Sequence, residues 1–195
     1  TDPKGADFKK DLISFAGVCR VVKGMKNFNI GAIGARTTAF KTVRVDEIAF
    51  QKKGINIETI DLSDVFERVK KVTDDRVEEK KKQILNITEF SGYPEEKLDT
   101  MAKVQAVFED IVSEYNLQAV AVRCWNEFET VLGIAPCTSL CLLNEIGVSA
   151  ACEVDITNAV MMRALSLASD SPCMLLDYNN NYGDDKDRAI MFHCG

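Results

Sequence analysis

Short apolar runs alternate with amphipathic stretches along most of the chain. The helical spacing of apolar residues predicts helices over 6–26, 43–51, 64–72, 74–87, 94–116, 138–146 and 155–167. Short runs rich in β-branched residues or alanine predict strands over 28–35, 55–60, 117–125 and 147–152. Strands that alternate with helices indicate a mostly parallel sheet with helices on both faces. We therefore predict an α/β fold, a three-layer, Rossmann-like open sheet.

The pattern changes after residue 168. Two further apolar runs, at 173–176 and 189–194, have no helix between them, and the polar loop over 179–187 is typical of a long hairpin connection. This segment is either an antiparallel C-terminal edge of the sheet or the opening of another domain. We place an α/β domain at 1–168 and the last strands, or the beginning of an incomplete C-terminal domain, at 169–195. Because the chain ends directly after a predicted strand, we expect a fragment.

Composition and charge narrow the choice of partners and compartment. The formal net charge of -6 argues against nucleic acid or an anionic membrane as the main partner, since both require a basic face. No apolar run approaches the length of a membrane span, and the polar opening residues do not form a signal peptide. Seven cysteines without a CxxC pair predict reduced, buried small hydrophobes in a cytoplasmic protein. This prediction covers Cys19, Cys124, Cys141, Cys152 and Cys173.

Acidic residues follow several of the apolar runs. Glu127, Glu153 and Asp177 each come shortly after such a run. In open α/β sheets the carboxyl ends of the strands form the edge where ligands bind. Carboxylates that meet there would suit Mg²⁺, Mn²⁺ or Ca²⁺ and could also move protons as a general acid and base. Each acid alone can equally be a helix N-cap or a solvated loop residue, and we assign Asp155 as a cap.

Two other features, the loop that starts at Arg36 and the residue His193, allow a structural interpretation as well as a functional one. The stretch GAIGAR after the first predicted strand lacks the GxGxxG pattern, which argues against dinucleotide binding. Arg36, with Thr37 and Thr38 after it, would bind a polyol or an anion, or else form a solvated turn. His193 is the only histidine, and it fits a structural residue at a strand end better than a metal ligand.

Six segments carry a family resemblance: GAIGARTTAFKTVRVDEIAFQKKGINIETIDLSDV, CWNEF, GIAPC, ACEVDITNA, LLDYNNNYG and FHCG. In their order and spacing they resemble the L-fucose isomerase / L-arabinose isomerase-like superfamily, and more closely its fucose isomerase-like bacterial branch. The resemblance implies a homo-oligomeric aldose–ketose isomerase that acts on a monosaccharide through an ene-diol, with Mn²⁺. It also implies that this chain is the middle domain with the start of the C-terminal domain. Such a fragment would be inactive by itself.

The same resemblance implies the site residues. Glu153 in ACEVD matches a metal-binding glutamate that also transfers protons, and Asp177 in LLDY matches a metal-binding aspartate of the fucose isomerase branch. Glu127 in WNEF matches the second acid/base glutamate of the arabinose isomerase branch. The predicted catalytic residues are thus Glu153, Asp177 and Glu127, of which Glu153 and Asp177 are also the predicted metal ligands. The predicted substrate-binding residues are Arg36, Trp125 and Asn126.

The chain departs from the family pattern at the positions where the family has histidines. The arabinose isomerase branch has a histidine a few residues after the position of Asp177, where this chain has only asparagines, at 179–181. This departure favours the fucose isomerase-like pattern. A further histidine ligand of the family comes from the C-terminal domain, and His193 does not match it.

Two alternatives to an enzyme remain open. The chain could be a non-catalytic sugar-binding or regulatory α/β domain, because the middle domain resembles half of a periplasmic binding protein, or it could be a structural assembly domain. If Glu153 and Asp177 lie within reach of one cation, the enzyme is favoured. If they point to opposite faces of the sheet, the binding module is favoured. A large exposed apolar face would indicate contacts with further domains or subunits.

Overall fold

The structure is a computed structural model that describes residues 2–193. Its centre is a four-stranded parallel sheet with the strand order β2-β1-β3-β4. The strands are β1 (Phe28–Ile33), β2 (Ile55–Ile60), β3 (Ala119–Val122) and β4 (Ser149–Ala151). Because β2 and β3 lie on opposite sides of β1, the chain reverses direction across the sheet between β1 and β3. In doubly wound sheets this switch point is where ligands bind.

Helices cover both faces of the sheet, as the sequence predicts. They are α1 (Ala6–Gly24), α2 (Glu47–Gln51), α3 (Leu62–Val69), α4 (Asp74–Ile87), α5 (Glu95–Glu114), α6 (Cys137–Glu145) and α7 (Ile156–Ser169). A 3₁₀ turn over Lys41–Val43 and a π-helical turn over Phe128–Leu132 complete the connections. Within residues 2–193, no helix is both long and apolar enough to span a bilayer.

Alternating strand residues divide the hydrophobic core between the two faces, because successive side chains of a strand point in opposite directions. Ile33 and Val122 belong to the larger core, together with α3, α4, α5 and α6. Ile30 and Ala121 belong to the smaller core, together with α7. The apolar residues whose helical spacing predicts α5 are all buried, and they are Leu98, Met101, Val104, Val107, Phe108 and Ile111. The predicted α/β class is therefore confirmed.

The C-terminal segment differs from the prediction. The apolar run 173–176 is not a strand; it is irregular, and Leu175 from this run packs against both cores. The first strand lies further along, at β5 (Asp177–Tyr182), and the second, β6 (Asp185–Phe192), begins before the predicted run 189–194. Together they form a separate antiparallel sheet instead of an edge of the main sheet. Gly183, with a φ of 57°, allows a tight turn between them, so most of the predicted loop is strand. The domain division at 168/169 stays a prediction.

The predicted helix over 43–51 is shorter than its apolar pattern indicates. The side chain of Asp46 accepts a hydrogen bond from the Ala49 amide at 2.9 Å, and this N-cap starts α2 at Glu47. N-cap residues take a non-helical backbone, which separates α2 from the preceding 3₁₀ turn. Arg44 therefore lies in an extended link between the 3₁₀ turn and α2.

The amphipathic helix α1 forms as predicted, but its apolar side chains face solvent. Only Gly17 of α1 is buried. The helix is held against α7 by Arg20, whose Nε donates to the Leu167 carbonyl at 2.8 Å and whose Nη2 donates to that of Ala168 at 3.0 Å. The exposed apolar residues on α1 are Leu12, Ile13, Phe15, Val18 and Val22. An exposed apolar face of this kind is typical of a contact surface.

The run of charged residues in α4 predicts a solvated helix face, and this prediction is wrong for two lysines. Lys80 and Lys81 are both buried. The Nζ of Lys80 lies 2.6 Å from an oxygen of Glu109, and the Nζ of Lys81 lies 2.6 Å from an oxygen of Asp99. Buried lysines need such partners, so these pairs fix how α4 packs on α5.

Candidate functional site

A cleft of about 620 Å³ opens beside the segments that follow β1 and β4. This volume lies within the range of small-molecule sites in proteins. We call it the strand-end cleft. Its lining residues are Phe40, Thr42, Val43, Arg44, Glu153, Asp155, Thr157, Asn158 and Asp177.

Glu153 enters this cleft from an unusual backbone conformation. Directly after β4, both Glu153 and Val154 have left-handed φ angles, of 61° and 57°. Residues other than glycine rarely adopt this region, and each costs on the order of 1–3 kcal/mol, so the surroundings must fix them. Here the Val154 amide donates to the Val122 carbonyl at 3.2 Å, and the Val154 side chain is buried in the smaller core. These contacts hold the turn that presents Glu153.

The Glu153 carboxylate has no hydrogen-bond or ion-pair partner within residues 2–193. Burial raises the pKa of Glu153 above its ordinary value, the negative charge of Asp177 raises it further, and His193 acts in the opposite direction. The Asp177 carboxylate is likewise unpaired within the described chain. Neither carboxylate accepts a hydrogen bond within residues 2–193, so together they form an oxygen-rich site whose negative charge His193 offsets only in part.

Asp155 lines the same cleft but has a structural task. Its Oδ1 accepts from the Asn158 amide at 3.0 Å, and its Oδ2 accepts from the Asn158 side chain at 2.6 Å. The predicted N-cap of α7 is thus confirmed. Of the three acids in the cleft, only Glu153 and Asp177 remain available for a ligand.

Glu127 does not line the strand-end cleft. It follows β3 and pairs with Arg123, whose Nε lies 2.6 Å from its Oε2. Burial opposes the charged form of Glu127, but the hydrogen bond from Arg123 and nearby backbone amides outweigh it, so the pKa of Glu127 is lowered. The structure therefore brings Glu153 and Asp177 together and leaves Glu127 in an ion pair of its own. Its catalytic assignment stays a prediction.

The predicted substrate-binding residues lie in the loops after β1 and β3, at the switch point of the sheet, and none of them lines the strand-end cleft. Arg36 donates through Nη1 to the carbonyls of Thr37 and Phe40, both at 3.1 Å, so part of its guanidinium fixes its own loop. The ring of Trp125 packs on that of Phe40, with centroids 5.3 Å apart. Asn126 is exposed, after a cis peptide bond. Trp125 thus borders the cleft through Phe40, which does line it.

His193 and two of the cysteines meet beneath the ends of β3 and β4. The Nε2 of His193 lies 2.9 Å from the Sγ of Cys152. A hydrogen bond between Cys152 and Cys124 lowers the pKa of Cys124 and raises that of Cys152. Cys124 and Cys152 are buried as predicted, whereas Cys19 and Cys141 are exposed. The prediction is wrong for these last two because α1 and α6 turn those positions to solvent.

The sequence also contained a cleft residue that pattern reasoning missed. Arg44 lines the strand-end cleft, and it lies within the segment TAFKTVRVDE that carries the family resemblance. A predicted helix over 43–51 would have placed Arg44 on a helix surface. The polar cap residue Asp46, two positions later, is the signal that could have indicated an extended link instead.

The raised pKa of Glu153 predicts a stability effect that can be measured without any substrate. Between the ordinary pKa of 4.5 and the higher folded value, the unfolded chain releases the Glu153 proton first, so the free energy of unfolding falls as pH rises through this interval. A glutamine does not titrate. We expect Glu153→Gln to be more stable than wild type at neutral pH, by a margin that shrinks as the pH falls toward 4.5. Urea unfolding of both proteins with a chelator present tests this, and a margin independent of pH would contradict it.

The sheet order and the cleft define a doubly wound α/β domain with an acidic site beside its strand ends. No family model matches the chain. The chain is 30% identical over 199 residues to a sulfoquinovose isomerase of Alkalicoccus urumqiensis, with 100% of this chain and 44% of that protein covered. It is 24% identical over 199 residues to one of Priestia megaterium (strain ATCC 12872 / QMB1551), with the same coverage. It is 23% identical over 185 residues to one of Clostridium sp. (strain MSTE9), with 93% and 41% covered. The chain thus spans less than half the length of these relatives.

Proposed function

We propose that this chain is part of a metal-dependent aldose–ketose isomerase and contributes a half-site for a divalent cation. The observation that carries the proposal is the meeting of Glu153 and Asp177 in one cleft, both without a partner among residues 2–193. A non-catalytic sugar module would not need an unpaired, half-buried carboxylate such as that of Glu153 beside a second acid, since burial of a charged group without a partner costs free energy. The similarity to proteins named sulfoquinovose isomerase supports the same class of reaction.

The donor set fits Mn²⁺ in kind but is incomplete in number. Carboxylate oxygens suit hard divalent cations, and Glu153 and Asp177 are the residues that would hold one. Within the described residues no group of three or more histidines, cysteines or acids is arranged to bind a metal ion. Further ligands would therefore come from outside the described chain. A bound cation would polarise the carbonyl and hydroxyl oxygens of the sugar.

Glu153 would move the proton in this reaction. Its carboxylate takes the proton from C2 of the aldose, which gives an ene-diol, and returns it to C1, while the O2 proton passes to O1. The result is the ketose, with no net gain or loss of atoms. A raised pKa brings Glu153 closer to the neutral range in which a general base works best. Glu127, held ionised by Arg123, is the proposed second acid/base group for the proton between the oxygens.

The finer assignments extend the proposal. The enzyme would be a cytoplasmic homo-oligomer of the L-fucose isomerase / L-arabinose isomerase-like superfamily, and its substrate a monosaccharide of the kind the relatives' name describes, a hexose with a sulfonate group. The exposed apolar side chains on α1 support contact with another domain or subunit.

Calorimetric titration with Mn²⁺ tests the half-site. We expect weak binding to the wild-type chain and at least about tenfold weaker binding to Glu153→Gln, because the charged ligand is lost. Glu129→Gln is the matched control, since Glu129 is an exposed acid outside the cleft. Equal binding to wild type and Glu153→Gln would contradict the proposal.

The chain by itself is expected to convert no aldose to ketose, because two ligands do not fix a cation for catalysis. The check is an assay of the purified chain with added Mn²⁺ and a panel of aldoses that includes a sulfonated hexose. Measurable turnover would overturn the half-site interpretation.

A further inference from the structure

Arg44 is the only cationic residue among those that line the strand-end cleft, and the described chain gives it no partner. The side chain is exposed, and no acid or carbonyl within residues 2–193 accepts a hydrogen bond from it. The other two arginines near the strand ends are engaged. Arg36 donates to carbonyls of its own loop, and Arg123 pairs with Glu127 and also donates to the Ala35 carbonyl at 3.1 Å.

The backbone around Arg44 is fixed on both sides. Before it, the Phe40 amide donates to the Thr37 carbonyl at 3.1 Å, and the Phe40 ring packs on Trp125. After it, Asp46 caps α2. An arginine in such a link has less backbone freedom to lose when its side chain engages a ligand, which lowers the entropic cost of binding.

An unpaired guanidinium in an acidic cleft has a specific consequence for the choice of ligand. A neutral sugar would need no cation there. A sugar with an anionic substituent would give the guanidinium of Arg44 the partner that the described chain does not supply. A guanidinium suits this task because its planar, paired N–H donors match the oxygens of sulfonate and phosphate groups.

We propose that Arg44 is the specificity-determining residue of this site and binds the anionic substituent of the sugar. Because the relatives are named for sulfoquinovose, a sulfonated hexose, we take that substituent to be a sulfonate in preference to a phosphate. This inference rests on the proposed isomerase function and adds to it. Glu153 and Asp177 handle the reacting end of the sugar, and Arg44 selects substrates by the charge at the other end. The role is one of binding, so it is measured without turnover.

The experiment is calorimetric titration of the chain, with Mn²⁺ present, with sulfoquinovose, 6-deoxyglucose and glucose 6-phosphate. The first two sugars differ only in the sulfonate. We expect Arg44→Gln to weaken the binding of sulfoquinovose by at least about tenfold and to leave the binding of 6-deoxyglucose unchanged, since a hydrogen-bonded ion pair is lost. Arg44→Lys should restore part of the affinity. Lys41→Gln is the matched control, because Lys41 is an exposed cation three residues away that does not line the cleft.

The outcomes separate this inference from the function on which it rests. If Arg44→Gln binds sulfoquinovose as wild type does, while Mn²⁺ binding still depends on Glu153, the role of Arg44 is wrong and the half-site stands. If Arg44→Gln weakens the binding of sulfoquinovose and of 6-deoxyglucose equally, the role of Arg44 is also wrong, since the effect would not depend on the charge of the sulfonate. Tighter wild-type binding of glucose 6-phosphate than of sulfoquinovose would contradict the preference for sulfonate. Wild type that binds neither Mn²⁺ nor sulfoquinovose would overturn both proposals.

Discussion

Glu153→Gln is expected to lower the kcat of sugar isomerisation by about 10²–10⁴-fold in a polypeptide of the relatives' full length, the range that a general acid/base contributes. Glutamine retains the shape of the side chain and an oxygen for a metal but cannot take a proton. The proposed role of Glu153 is in proton transfer and not in holding the sugar, so we expect KM to change little. Conversion of a sulfonated hexose to its ketose, with added Mn²⁺, is the measurement.

A titration with Mn²⁺ separates the two roles of Glu153. If the residue moves the proton, saturating Mn²⁺ does not restore the lost kcat. Recovery of wild-type kcat at high Mn²⁺ would instead reduce Glu153 to a metal ligand. Asp177→Asn is the comparison, because we expect it to raise the Mn²⁺ concentration needed for half-maximal activity. Glu129→Gln should behave as wild type, since Glu129 is exposed and lies outside the cleft.

The sheet could be predicted from the sequence because local patterns determine it. Each parallel strand is a short run rich in β-branched residues or alanine, such as Phe28–Ile33, and each is followed by a helix that shows its own spacing. Helical spacing also indicated which side of α5 is buried. By contrast, whether a side chain on a helix is buried depends on which other parts of the chain pack against that helix. The apolar residues of α1 have helical spacing, but little of the described chain packs against them. Lys80 and Lys81 are buried, and each pairs with an acid of α5 that lies far along the chain.

The candidate site was predictable in its residue types but not in its geometry. The sequence indicates that Glu153 follows a strand. It does not indicate the left-handed backbone that turns Glu153 into the cleft. Asp177 reaches the same cleft from the start of a separate hairpin, whereas the sequence placed it at the end of a strand. The place of Arg44 depends on the cap at Asp46, which shortened a predicted helix. Each of these positions is set by non-local contacts or by backbone turns, which periodicity does not detect.

Phe128→Ala is expected to lower the free energy of unfolding by about 3–5 kcal/mol, as for other large-to-small changes in a packed core. Phe128 is fully buried and lies between two further aromatic rings. Its ring centroid is 5.4 Å from that of Phe66 on α3 and 5.9 Å from that of Phe108 on α5, both in edge-on contact. A cavity at this point would remove contacts to both helices at once.

Val131→Ala is the matched control, because Val131 belongs to the same π-helical turn as Phe128 but is 60% exposed. Its effect should stay within about 0.5 kcal/mol, as for most surface substitutions. Urea unfolding of the three proteins gives the comparison, and a loss below about 1 kcal/mol for Phe128→Ala would contradict the described packing. Because Phe128 directly follows Glu127, the same substitution should also loosen the Arg123–Glu127 pair. The Mn²⁺ affinity of Glu153, which follows β4, and of Asp177, which begins β5, should change less than stability does.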